Sequence, residues 1–426
     1  MGGKSDIYLA YTIAFYPPMK YYLKTLVFFL FVSLAASWMN SAYAQESGNR
    51  IWNELQALHH RSVSFPLWEP LRELSPSQLA SRFRVQLPCQ YWEPDAAVLL
   101  SLSGSRPEQL SLKLKDPDQI EWTIQLVRQD VVGRESRILH PGQTEGDAFV
   151  GGLYYRGIVS GQPESVAALS FFADQVSGVI SIPGRGNLVL GKAGVGSAQT
   201  EQDAPHVLYY DSDVSDKPEF QCGVPDELTE SFRQEAYAAP DSLFDSRCKV
   251  IKIFLECDYR MYTDQGRNRN QVVNYVTGLF NVVKTLYYNE YVDIEISDIM
   301  VWNTQDPFLH TDLQSILFHY TNYRRTNFNG NLAQLVTTFP PQQQGGIAWL
   351  GTLCQGFNGQ SGPNSFAYIY NSYNQLPNYS WSVEVMAHEL GHNFGLPHTH
   401  ACFWGPGRNS TLDNCQPPEN NACAAG

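Results

Sequence analysis

The sequence is short of charge, and shorter still of positive charge. Charged residues make up 17% of the 426, and 29 Lys and Arg face 42 Asp and Glu, a formal net charge of −13. A general nucleic-acid binder needs a basic face to neutralise phosphates, so that class is excluded. Low charge does not mean disorder here, because hydrophobic residues reach 43%, enough for a packed globular chain. Long apolar runs are also missing. The one candidate, Thr25 to Ala36, is shorter than the roughly 20 residues that a membrane span needs, and nothing later in the chain approaches it. There is no internal repeat and no low-complexity tract, which excludes arrays of stacked repeats. At this length two domains after any targeting segment are expected.

The short apolar run has its own meaning. Lys20 and Lys24 precede it, and Ala42-Tyr-Ala44 follows it just before Gln45. Basic, apolar and A-x-A segments in that order are a secretory signal peptide, with an unremoved membrane anchor as the alternative. Residues 1–44 are therefore expected to be a signal peptide region. Residues before Met19 do not fit the pattern, so Met19 is the expected start. The mature protein is expected to be secreted, with no membrane attachment. Eight cysteines in an exported chain suggest some disulfides. Cys248 and Cys257 are not expected to pair. They flank Lys249 to Glu256, which reads as a strand, and an extended stretch of that length holds their Cα atoms roughly 30 Å apart.

From residue 45 to 200 short strands alternate with Gly and Pro turn signals, as in Ala97–Leu102, Glu121–Val127 and Gly178–Ile182. Residues 201–245 are polar, acidic and punctuated by Pro205, Pro218, Pro225 and Pro240, which reads as a linker. No dibasic processing site stands out in it. From 246 to 426 strands and helices alternate. Strand-like Lys249–Glu256 is followed by Val272, Val276, Leu279, Phe280 and Val283 at the spacing of one helix face. Strands at 292–296, 334–337, 346–350 and 366–370, a helix near 313–319 and another from about Ser380 complete an α/β pattern with a mixed sheet.

Val385-Met-Ala-His-Glu-Leu-Gly-His-Asn-Phe-Gly-Leu-Pro-His398 carries the chemistry. His388 and His392 are four apart, so a helix points both imidazoles to one side, where they can grip one metal ion. Val383, Met386, Ala387, Leu390 and Phe394 supply its packing face, Ser380 a cap, and Gly395 a left-handed end that turns the chain back with His398. Three neutral imidazoles leave a fourth tetrahedral position for water, the arrangement of a catalytic Zn2+ site. Glu389 cannot easily reach the metal but can reach that water. Zinc lowers the water's pKa to about 7, and the carboxylate can take its proton during attack on a peptide carbonyl. The alternative is a helix that carries histidines on its surface without a metal.

The full H-E-x-x-H-x-x-G-x-x-H motif resembles that of the metzincin metalloproteases, and its surroundings look most like the reprolysin (adamalysin) branch, especially its bacterial members. Gly346-Ile-Ala-Trp-Leu-Gly-Thr-Leu-Cys354 is similar to the strand and cysteine upstream of the zinc helix in that branch. The resemblance implies that Gly346, Ile347 and Ala348 offer an edge to which an extended substrate pairs; an ordinary sheet strand is the other reading. Tyr155–Ser170 and Gly178–Ile182 resemble the reprolysin propeptide, and Cys222-Gly223-Val224 looks like the family's cysteine switch. A thiolate there can fill the open zinc position and Gly223 lets the backbone enter a narrow cleft; a disulfide at Cys222 is the alternative. Reprolysins commonly carry Asp after the third histidine, whereas this chain has Thr399-His400, and His400 is expected beside the site rather than in it.

The family also carries a methionine turn downstream of the motif. The last methionine here is Met386 and the chain ends at Gly426, so a C-terminally truncated catalytic domain is expected. The reading is a metzincin-like α/β catalytic domain, a mixed sheet plus an active-site helix, at 246–426. A β-rich propeptide domain at 45–200 and a linker with a cysteine switch at 201–245 precede it. The expected function is a secreted zinc-dependent endopeptidase precursor acting on protein or peptide substrates, with no nucleic-acid partner. The competing readings are a truncated, non-catalytic zinc-binding or interaction protein and a secreted adhesive protein with an incidental motif. Asn378-Tyr-Ser380 and Asn409-Ser-Thr411 match the glycosylation acceptor pattern.

Overall fold

The computed structural model describes residues 48–75, 77, 87–143, 145–193, 204–215, 220–224, 250–308, 311–338, 345–370, 379–402, 404, 409–413 and 423. The signal peptide region, Met19, Cys248 and Asn378 lie outside them. Among the described residues no helix is long and apolar enough to cross a membrane.

Two-residue alternation builds the first half. Strands β1 (Leu71–Leu74), β2 (Gln90–Pro94), β3 (Gln109–Lys115) and β4 (Glu121–Gln129) share one antiparallel sheet with β7 (Leu153–Val159), β8 (Val166–Phe171), β9 (Val176–Ile182), β10 (Gly186–Lys192) and β11 (His206–Tyr210). Their order is β1-β2-β11-β10-β9-β8-β7-β4-β3. Successive side chains point to opposite faces, and in the central strands both faces are apolar. Leu153, Tyr155, Leu169, Ile180, Leu188, Leu190 and Leu208 fill one core with Leu99 and Leu102. Tyr154, Ala168, Val179, Val189, Val207 and Tyr209 face the other way, into the core of the second half.

Two expectations are corrected here. Ala97–Leu102 is not a strand but the body of helix α2 (Ala96–Ser105), after α1 (Arg50–His60). Asp95 caps it by accepting from the amides of Ala97 and Val98 at 3.0 Å, and that cap overrides the apolar run's strand-like look. The β-rich sheet also continues past residue 200. His206-Val-Leu-Tyr-Tyr210 pairs with both β10 and β2, because its β-branched and aromatic content outweighs the prolines around it.

The second half is a mixed sheet. Strands β13 (Ile251–Cys257), β14 (Ile294–Val301), β15 (Leu332–Thr337) and β17 (Asn364–Tyr368) run parallel in the order β14-β13-β15-β17, and β16 (Gly345–Ala348) pairs antiparallel with β17. Segments from earlier in the chain extend both ends. β5 (Arg137–Leu139), paired in turn with β6 (Asp147–Ala148), adds parallel to β14, and β12 (Gln221–Cys222) adds parallel to β16. After β13 come α3 (Tyr259–Asp264) and α4 (Arg269–Asn289), then α5 (Leu313–Arg324) and α6 (Tyr379–Phe394). Helix α4 lies between two partners, with β7, β8 and β9 on one side and β14 and α6 on the other. It is therefore buried on more than the one face its apolar spacing announces: Val273, Thr277, Asn281 and Thr285 are buried as well. At Gly278 the helix comes so close to the sheet that a Cβ would sit 3.1 Å from Ser177 Oγ.

A buried ion pair ties α5 to the sheet. Arg324 donates from Nε and Nη2 to the two Glu256 carboxylate oxygens at 2.6 Å each, and Trp302 Nε1 donates to Glu256 at 2.7 Å. Cys402 and Cys423 are disulfide-bonded, whereas Cys257 is a buried thiol.

Candidate metal centre

Helix α6 begins at Tyr379, one residue before the expected cap Ser380. Val383, Val385, Met386 and Leu390 bury its packing face. It stops at Gly395, whose φ of +96° a side chain would resist. Gly395 N donates to His392 O at 2.9 Å and Leu396 N to Gly391 O at 3.0 Å, the paired bonds of a Schellman ending. The reversed chain returns His398 to the helix face that carries His388 and His392.

The result is a tight cluster. His388 Nε2 and His392 Nε2 are 2.9 Å apart, and Cys222 Sγ lies 3.3 Å from His392 Nε2. One donor atom from each of Cys222, His388, His392 and His398 falls within 4.8 Å of every other. Tetrahedral zinc with bonds of about 2.0–2.3 Å separates its ligand atoms by about 3.3–3.8 Å, so the group fits such an ion with small adjustments. His392 Nδ1 donates to Leu396 O at 2.8 Å, which turns the lone pair of Nε2 into the cluster. Burial, then His398, pushes the His392 pKa down to about 3; burial, then the neighbouring histidines, holds His388 well below its ordinary value. Both imidazoles are thus neutral, the form that binds metals. His400 stacks on His398 with ring centroids 4.9 Å apart and stands outside the four-residue group.

Glu389 is fully buried, and neither carboxylate oxygen has a hydrogen-bond partner. Burial raises its pKa well above the carboxylate range. The side chain lies directly on Gly346, where a Cβ would come within 2.6 Å of Oε1. Gly346, Ile347 and Ala348 lie in β16, whose outer side pairs with β12 at Gly345 and Gly346. Gly223 N donates to Gly346 O at 2.9 Å, and Gln314 Nε2 donates to Gly223 O at 3.3 Å. A Cβ on Gly223 would meet Ile347 and Leu313 at 3.0–3.1 Å, so glycine suits this narrow passage. Among the described residues the one disulfide is Cys402–Cys423.

Three contributors escaped the sequence reading. Phe220 packs edge-on against His388, with centroids 4.7 Å apart, and against Trp381. It shares a face of the extended strap with Cys222 and Val224, so the two-residue period was its signal. Gln314 had no local signal. Asn393 sits next to a motif histidine, and its amide donates to Trp349 O at 2.9 Å, Asn364 O at 3.1 Å and Thr352 Oγ1 at 3.2 Å. It ties the end of α6 to the turn after β16 and to the start of β17.

The family model Reprolysin_5, of metallo-peptidase family M12, matches residues 247–426. The chain is 23% identical over 287 residues to the mouse disintegrin and metalloproteinase domain-containing protein 1a, an alignment covering 62% of this chain and 34% of that protein. It is 24% identical over 285 residues to the zinc metalloproteinase-disintegrin-like BfMP of Bungarus fasciatus, covering 61% and 42%. The chain thus spans well under half the length of these curated relatives. Among solved structures, metalloproteinase-II from Bacteroides fragilis aligns with a TM-score of 0.36 at 11% identity, covering 70% of this chain and 85% of that one.

Proposed function

Because residues 247–426 match the reprolysin-like metallopeptidases of family M12, we propose that the chain is the precursor of a secreted, zinc-dependent endopeptidase held latent by its own Cys222. The carrying observation is the convergence of Cys222, His388, His392 and His398 on one point beside Glu389. Their donor set is nitrogen and sulfur, which suits zinc. Bound there, zinc would supply Lewis acidity to an attacking water and to a peptide carbonyl.

The chain's own residues do the rest. His388, His392 and His398 hold the ion, and the carbonyl of Leu396 keeps His392 in the binding tautomer. Glu389 takes the proton of the attacking water and delivers it to the leaving amine. Gly346, Ile347 and Ala348 pair with the backbone of an extended substrate once β12 is gone. In the precursor β12 occupies the start of that edge and brings the Cys222 thiol to the histidines, where it would take the place a bound zinc offers to water. The β-rich region acts as the propeptide, ending at Tyr210 rather than near residue 200, and residues 1–44 act as the export signal.

Metal analysis and one variant test this. The purified chain should carry zinc in a one-to-one ratio, and His388→Ala should lose it. After release of the strap, Glu389→Gln should keep the metal while peptide hydrolysis falls at least about 100-fold. Zinc far below stoichiometry, or unchanged turnover in Glu389→Gln, would defeat the proposal.

A further inference from the structure

The turn of α6 that leads into His388 and Glu389 is gripped from two sides. Each carbonyl inside an α-helix accepts from the amide four residues on, and α6 is continuous from Tyr379 to Phe394. Met386 O and Ala387 O therefore have helical partners already. Both take a second. Gln334 Nε2 donates to Met386 O at 3.1 Å, and the hydroxyl of Tyr287 donates to Ala387 O at 2.7 Å. Successive helical residues lie about 100° apart around the axis, so the two donors reach α6 from different directions. One such bond would leave the helix free to roll about it; two of them oppose a roll either way.

Both donors are themselves well anchored. Gln334 is fully buried in β15, opposite Leu255 of β13 and Ser365 of β17. Its nitrogen also reaches Ser365 Oγ at 3.3 Å, while its Oε1 has no partner. A buried amide with an unsatisfied oxygen costs stability that an apolar side chain of the same length would not. Tyr287 lies two residues before the end of α4. Its ring stands edge-on to Phe394, with centroids 5.1 Å apart, and a Cβ on Gly391 would meet its hydroxyl at 3.4 Å. Helix α4 is held in turn by buried bonds to the β-rich sheet. Gln129 Nε2 donates to Asn281 Oδ1 at 2.7 Å and Thr285 Oγ1 at 2.8 Å, Asn281 Nδ2 to Leu169 O at 3.1 Å, and Tyr154 to Thr277 at 2.9 Å.

We propose that Gln334 and Tyr287 are positioning residues for the hydrolytic site, which together set the rotation of α6 about its axis. This rests on the reading of the histidines as zinc ligands and of Glu389 as the base. Side-chain ends lie about 5–6 Å from a helix axis, so a roll of about 10° carries them about 1 Å. His398 lies beyond the helix end and Gly346 on a separate strand. A roll therefore displaces His388 and His392 against the third ligand, and Glu389 against β16.

The variants are Tyr287→Phe, Gln334→Met and the pair. Each removes a donor and nearly conserves volume, and the urea midpoint reports folding. Zinc affinity is measured on the full chain by competition with a chromophoric chelator. Hydrolysis of an unstructured peptide is measured at saturating zinc on the full chain carrying Cys222→Ala, purified metal-free. Each single variant should weaken zinc binding about tenfold, and the pair about 100-fold. At saturating zinc kcat should fall about tenfold in each and about 100-fold in the pair, with KM within about twofold. A lower urea midpoint in the pair, with zinc affinity and kcat within twofold of the parent, would assign both bonds to folding alone and overturn the inference. A rise in KM with kcat unchanged would overturn it too. If the Cys222→Ala parent is silent, zinc affinity alone decides. If the parent binds no zinc, or Glu389→Gln hydrolyses as fast as the parent, the zinc-protease reading falls and takes this inference with it.

Discussion

Adding one methyl group at Gly346 tests how the catalytic carboxylate is placed. In Gly346→Ala the new Cβ would stand 2.5 Å from Glu389 Cγ, 2.6 Å from Glu389 Oε1 and 2.6 Å from Phe366 O. Phe366 O belongs to the backbone of β17, directly across from β16, and has little freedom to retreat. Relief needs two movements: Glu389 by about 0.9 Å to reach an ordinary contact of 3.4 Å, and a shift of similar size by the Gly346 backbone away from Phe366 O. Overpacking of this kind costs about 1–3 kcal/mol of stability. A displacement near 1 Å at a reacting group costs about 100-fold in rate. The backbone of β16 still offers its donors and acceptors, so kcat should fall about 100-fold with KM within about twofold. None of the histidines touches the added methyl, so zinc content should not change. The assay is kcat and KM on an unstructured peptide, with metal content measured on the same sample. A Gly346→Ala enzyme with near-normal kcat would show that Glu389 is not held by this contact, and the reasoning would fail.

Cys222→Ala should give a precursor that hydrolyses peptides without processing or degrades itself during expression; an equally latent precursor would sink the switch. His206 supplies a pH dependence remote from the metal. It is fully buried, accepts from Val176 N, and burial with Lys192 nearby pushes its pKa down to about 3. Below pH 6.5 the unfolded chain takes up a proton that the folded chain refuses, so stability is full above 6.5 and falls as pH drops toward 3. Between pH 7 and 5 the loss is about 2 kcal/mol, and His206→Gln should remove that slope in urea titrations at the two pH values. Arg324→Met leaves Glu256 buried beside Trp302 without its cation and should destabilise by about 3–5 kcal/mol. Pairing it with Glu256→Leu should recover most of the loss, and failure to recover would mean that packing rather than charge governs the site.

The histidine cluster was legible because a motif confined to the eleven residues His388–His398 depends on local helix geometry alone. His388 and His392 needed only the helical pitch, and His398 only the turn at Gly395. Cys222 was legible as chemistry but not as place, since nothing local says that its strap runs parallel to β16. Helix α4 was half read. Its Val272-Val276-Leu279-Val283 spacing shows one buried face, whereas Thr277, Asn281 and Thr285 look like a solvated one. Their partners Gln129, Tyr154 and Leu169 lie more than a hundred residues upstream, and polar residues buried by a distant segment leave no local trace. Helix α2 failed for a smaller reason: a single aspartate cap decides between two structures that its apolar composition allows. Asn393 and Gln314 act across the tertiary fold, so only the assembled structure assigns them work.

In the precursor the mixed sheet ends in β12 at one side and β6 at the other, each only two residues long. Strands so short offer almost no template for another chain. Removing the caps would uncover Gly345 and Gly346 of β16 and Ile299 and Met300 of β14, and so join each to the remainder of its strand. The second edge would be an open row of backbone donors and acceptors in a strand rich in isoleucine, a standing invitation to self-association. The β5 cap therefore bears on colloidal fate: solubility should depend on whether that second edge stays covered.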